Sequence, residues 1–141
     1  FIGSNYQAAS AGNYHAIGIK NNAGSAEVCL IDRIIISLDS AGYVYLKLAA
    51  SLELGSFGQY LQTKKSGGTA AADTSVNYET AASVPGTQVG TIDVPTSSSV
   101  TLNFQWPFMV AAGHNFYVIT ATANVGMAVT YECRLLVADQ V

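Results

Sequence analysis

The segment Glu27 to Leu38, EVCLIDRIIISL, is apolar at even and at odd positions. A strand with one face in a core and one in water alternates, but here Val28, Leu30, Ile34, Ile36 and Leu38 share one face and Cys29, Ile31 and Ile35 the other. The pattern predicts a strand covered on both faces, with a second copy of the protein as the outer cover. Elsewhere the alternation is simpler. Tyr14 to Lys20 sets His15, Ile17 and Ile19 against Tyr14, Ala16, Gly18 and Lys20, and Tyr43 to Ala49 sets Val44, Leu46 and Leu48 against Tyr43, Tyr45 and Lys47. With turn clusters at Asn21 to Ala26 and Asp39 to Gly42, these three segments read as a consecutive antiparallel meander.

The middle of the chain is less regular. A short strand is expected within Leu54 to Leu61, then an exposed loop around Gly67-Gly68, while Val76 to Pro85 fits neither template. Order returns with Gln88 to Val94, stopped by Pro95, and with Val100 to Gln105, where Leu102 and Phe104 face inward. Trp106-Pro107 is expected to break that strand, because proline has no ladder donor and restricts the residue before it. Two short strands follow about the turn Ala111 to His114. In the last segment Met127, Val129, Tyr131, Cys133, Leu135 and Val137 face in, and Ala128, Thr130, Glu132 and Arg134 face out. About eight strands without an amphipathic helix predict an all-β antiparallel sandwich, jelly-roll-like. A single domain over residues 1–141 is expected, with a short N-terminal arm at about residues 1–12.

A chain of 141 residues buries roughly two-thirds of its unfolded surface without metal or disulfide staples. Only 11% of its residues are charged, against a typical value of about 25%. A surface this poor in charge points to an oligomer or a lattice component, since a free monomer uses charge for solubility. The formal charge is −3 and the basic residues are scattered, which excludes the concentrated basic face that nucleic acid requires. Only Lys64-Lys65 forms a pair, in the expected loop. No run approaches the roughly 18 apolar residues of a membrane span, so no membrane insertion is expected and the domain reads as soluble. Phe1 in place of an initiator Met predicts a processed product or the ordered part of something longer.

Motifs of chemistry are sparse. Cys29 and Cys133 match no zinc or thioredoxin spacing and read either as buried inert thiols or as a disulfide between the first long strand and the last. His15 reads as a satisfied sheet histidine and His114 as a solvated turn residue. No nucleophile elbow, P-loop, EF-hand or dinucleotide fingerprint occurs. The carboxylates Glu27, Asp32, Glu53, Asp93 and Glu132 are dispersed singly, unlike a glycosidase pair. The chain therefore reads as a non-enzyme without metal or cofactor. Asp32-Arg33 and Glu132 with Arg134 are expected to pair between strands or across a subunit interface. Tyr43 and Tyr45 face outward, Trp106 and Phe108 flank Pro107, and such aromatics stack on sugars or anchor interfaces. Trp106 is expected half-buried at a strand corner. The candidate interface is thus Ile31, Arg33, Ile35, Tyr43, Tyr45, Lys64, Lys65, Trp106 and Phe108.

The order N-A-G-S (Asn22 to Ser25), D-R-I-I-I-S (Asp32 to Ser37) and L-N-F-x-x-P-F-M-V-x-x-G (Leu102 to Gly113) resembles small β-sandwich virion proteins of tailed bacteriophages. The resemblance implies a virion component with no catalytic residues to carry over. Such proteins serve as capsid decoration or cement subunits, head fibres, or tail-tip and fibre modules. A decoration or cement role is expected first, through a homotrimer that clamps neighbouring shell subunits such as the major capsid protein. A tail-fibre module contacting a host surface glycan through the loop from Thr63 to Ser75, Tyr43, Tyr45 and Trp106 is the alternative, and a carbohydrate-binding module is the third reading.

Overall fold

A computed structural model describes residues 1–49, 54–83 and 86–137. Glu53 and Pro85 lie outside them. Among the described residues ten strands follow one another: β1 (Ile2–Gln7), β2 (Tyr14–Asn21), β3 (Glu27–Leu38), β4 (Gly42–Ala49), β5 (Ser56–Tyr60), β6 (Thr74–Ala81), β7 (Thr87–Val94), β8 (Ser99–Val110), β9 (Asn115–Thr120) and β10 (Met127–Val137). They pair into two antiparallel sheets, ordered β1-β10-β3-β8 and β5-β6-β2-β9-β4-β7. With β5 and β6 set aside, β1-β10-β3-β8 faces β2-β9-β4-β7, which is the strand order of a jelly roll. The β5-β6 pair is an insertion between β4 and β7, added beside β2, and it accounts for the two strands beyond the expected eight.

The interior is aliphatic and aromatic. Ile17 and Ile19 of β2, Ile31, Ile34 and Ile36 of β3, Phe116 and Val118 of β9, and Met127, Val129 and Tyr131 of β10 are fully or almost fully buried in one cluster. Each such side chain contributes about 1.5–3 kcal/mol. Polar ties pin the sheets together. The Tyr131 hydroxyl donates to the Ile17 carbonyl across the sandwich at 2.6 Å, and buried Asn21 donates to the carbonyls of Glu27 and Val110 while accepting from Thr74. Beyond the core, on the outer side of the six-stranded sheet, Leu54 packs with Ala16, Tyr117 and Ile119. Gly18 permits this, because a Cβ there would collide with the Phe116 carbonyl and the Tyr117 side chain.

Several expectations change. The three early strands are not a meander: β2 and β4 lie in one sheet with β9 between them, and β3 lies in the other. Successive strands of a sandwich share a core by crossing between sheets, and local alternation does not encode that crossing. The N-terminal arm is corrected as well, since residues 2–7 form β1 and pair along β10. Residues 74–81, unassigned by pattern, are a strand whose start is buried on both faces. Val137, expected inward, is 49% exposed.

The doubly apolar β3 has a different explanation from the expected one. Its register with β10 shifts at Asp32, so Ile31 and Arg33 pair with the consecutive residues Cys133 and Glu132. This bulge changes the phase, and Cys29 and Ile31 before it join Ile34, Ile36 and Leu38 after it in the same core. The expected grouping by face was therefore displaced by one residue. Val28 and Leu30 lie opposite Leu136 and Arg134 on the outer side, yet each is only 7% exposed, so this chain alone covers them.

Candidate functional site

The two edges of the four-stranded sheet are built differently. Beyond β1, Ile2 and Gln62 exchange backbone hydrogen bonds of 2.8 and 2.9 Å, and the Gln59 side chain donates to the Ser4 carbonyl. The segment after β5 thus caps this edge. It also carries Lys64, whose ammonium reaches Glu132 on β10 at 2.7 Å, while Arg33 reaches the other carboxylate oxygen at 3.2 Å. The hydrogen bond from Lys64, reinforced by the positive charges of Lys64 and Arg33, holds the Glu132 carboxyl below the usual range. Beside it, Arg134 makes two hydrogen bonds to Asp32, at 2.8 and 2.9 Å. The expected pairing between these strands is present: Arg33 of β3 serves Glu132 of β10, and Asp32 of β3 serves Arg134 of β10.

The opposite edge is β8, and no strand lies beyond it among the described residues. Its pairing to β3 is interrupted, with Asn103 opposite Arg33 and Phe108 opposite Ile31, so residues 104–107 lie opposite Asp32 alone. Trp106-Pro107 does not end the strand as expected. It forms a wide bulge, and proline's missing donor falls where the ladder is already open. The aromatics on either side of Pro107 have opposite surroundings. Phe108 packs against the core in ring contact with Phe104 and Phe116, at centroid distances of 5.0 and 4.8 Å. Trp106 is 82% exposed, the most exposed large hydrophobic side chain described, and not half-buried. Met109 is 56% exposed. Next to it, where β8 meets the ends of β4 and β9, a cavity of about 330 Å³ is lined by Leu48, Thr87, Met109, Val110, Ala111, His114 and Asn115.

The expected site residues do not form one surface. Ile31 is fully buried and closed to any partner, and Phe108 belongs to the core. Arg33 and Lys64 are committed to Glu132. Ile35 is half-buried on the outer side of β3, opposite Thr130 and Thr101, and Lys65 stands exposed in its turn. Tyr43 and Tyr45 lie on β4 in the six-stranded sheet, where Lys47 stacks over the Tyr45 ring at 5.4 Å. They share no sheet with Trp106, so the aromatic trio expected to meet a glycan is not assembled.

Buried chemistry is limited to a few groups. Cys29 and Cys133 are free thiols on adjacent strands, and their mutual hydrogen bond together with burial raises the Cys133 thiol far above the ordinary range. His15 is 2% exposed, with neither ring nitrogen in a hydrogen bond, so it is buried but not satisfied. Desolvation lowers its pKa, opposed by the Ala8 backbone and by Asp39.

Pattern reading missed the open edge as a unit, although a signal for it exists. Between Asp93 and Glu132 the chain contains no Asp, Glu, Lys or Arg. That interval holds all of β8 and β9, and with them Trp106, Met109 and most of the cavity lining. These features define a jelly-roll β-sandwich whose four-stranded sheet has one capped edge, β1, and one open edge, β8, that carries no charged residue of its own. The chain matches no protein-family model, no curated protein and no solved structure.

Proposed function

We propose that the protein is a structural component of a tailed-bacteriophage virion, a decoration or cement subunit that self-associates, with a trimer favoured, and binds neighbouring shell subunits such as the major capsid protein. The open β8 edge carries this reading. A long unpaired edge with an exposed tryptophan and methionine is a liability for a free monomer, and soluble proteins blunt such edges with charge, cover or short strands. This chain blunts β1 and leaves β8 without a charge, as a subunit does when another chain covers the edge. The jelly roll adds support as analogy only, because viral capsid proteins and lectins both use it.

Immunogold labelling of phage particles recovered from the source of the gene tests the proposal. Regular labelling over the shell is the expected result. Labelling confined to the tail tip would replace cement by the fibre reading, and particles without label would overturn the virion reading.

A further inference from the structure

We infer that Trp106 of one copy inserts into the cavity between Leu48, Met109 and His114 of a second copy. This deepens the assembly reading above and rests on it. Four observations converge. Trp106 stands 82% exposed on a bulge that its own strand cannot pair, and solvating an indole forgoes the burial that makes tryptophan an interface anchor. The receiving cavity, at about 330 Å³, lies at the bottom of the roughly 300–1,000 Å³ range of ligand pockets, a size suited to one bicyclic ring. Its lining is dominated by Leu48, Met109, Val110 and Ala111 and includes no Asp, Glu, Lys or Arg.

The fourth observation selects the occupant. Apart from Leu48 and Thr87, knob and hole come from a stretch without Asp, Glu, Lys or Arg between Asp93 and Glu132, and the charges of β3 that flank the bulge are already paired, Asp32 with Arg134 and Arg33 with Glu132 and Asn103. A strongly charged partner would find no unpaired counter-charge there, whereas a second copy meets the edge with no net like-charge repulsion. Knob and hole are also distinct features of the same edge, so each copy can give one indole and receive one. A closed ring leaves none unfilled, which is the condition for a finite symmetric oligomer.

Trp106 is the only tryptophan in the chain, and its fluorescence reports the contact directly. The measurement is emission and acrylamide quenching of the full chain across a dilution series, with mass by light scattering on the same samples. As mass rises from monomer to oligomer, emission should shift to the blue and quenching should fall severalfold. Trp106→Ala should weaken self-association by about thirtyfold or more, the loss of a hot-spot anchor. Ala111→Phe keeps the tryptophan and fills the cavity, and should do the same, with circular dichroism verifying that both variants keep the fold. An oligomer whose indole stays as quenchable as in the monomer overturns the inference and leaves the virion reading standing. So do variants that assemble like the parent. A monomer at every concentration overturns the contact and the self-association proposed with it.

Discussion

The two edges of the four-stranded sheet face the same hazard and meet it differently. At β1 the chain spends β5 and the segment after it on a Gln59 contact to Ser4, backbone hydrogen bonds between Gln62 and Ile2, and the Lys64 link to Glu132. At β8 it supplies a bulge, an exposed Trp106, an exposed Met109 and no charge. Both edges are solvent-facing, but exposure means something different at each. The Ile2 backbone and the Ser4 carbonyl at β1 already have partners within the chain, whereas Trp106 and Met109 at β8 stay exposed. The contrast teaches that a residue's availability to a partner is set by what its own chain has already done with it.

The sharpest break of the comparison uses the residues flanking Pro107. Phe108→Ala removes a ring that packs on Phe104 and Phe116 and should cost about 3 kcal/mol in urea unfolding. Trp106→Ala, at the same bulge, should change monomer stability by no more than about 0.5 kcal/mol. Equal costs would mean that the indole packs within its own chain and that the β8 edge is not open.

This pair also marks how far pattern reading carries. The strands β3 and β10 were legible to the residue, because β3 is a long apolar run between two turn clusters and β10 alternates apolar and polar positions through Arg134. The fold class was legible for the same reason. The face assignments along β3 were not, since a bulge at Asp32 leaves no trace in an apolar run, where either phase looks acceptable. Trp106 and Phe108 look alike in sequence for a related reason. Only the register with β3 shows that residues 104–107 are looped out opposite Asp32, which turns one aromatic into core and the other into surface. Neighbouring strands are likewise a property of the whole sandwich, so the meander expectation failed where the individual strands held.

Opening the closed edge should have the next largest effect. Ile2→Pro removes the backbone donor to the Gln62 carbonyl and should cost about 1–2 kcal/mol. It should also add concentration-dependent scattering without a defined oligomer mass, because a second free edge has no matching cavity. A variant that reaches the parental oligomer with no added scattering would show that the Ile2–Gln62 bridge protects nothing.

Acid separates the interior from the capped edge. The buried His15 has a lowered pKa from desolvation, so the unfolded state takes up its proton first as pH falls. Its contribution to stability is complete above the unfolded value of about 6.5 and is lost as pH drops toward the folded value. Urea midpoints should therefore decline from pH 7.5 to 5.5, and His15→Phe should flatten that decline. A parental slope retained in the variant would place the titrating group elsewhere.

The smallest effect belongs to the charges beside the capped edge. Glu132→Gln leaves Arg33 and Lys64 without their shared carboxylate, but both cations are about half exposed, at 46% and 57%. The loss should stay below about 1 kcal/mol and shrink further as salt is raised. Because the Glu132 pKa is lowered, its contribution is present at neutral pH and lost only as pH falls below the usual 4.5 through the folded value, a window more acidic than that of His15. Self-association, which the β8 edge is proposed to drive, should be unchanged in Glu132→Gln when mass is compared at equal concentration. A Glu132→Gln protein that no longer oligomerises would move the interface onto the outer face of β10 and would make the ion pairs, not the uncharged edge, the contact between copies.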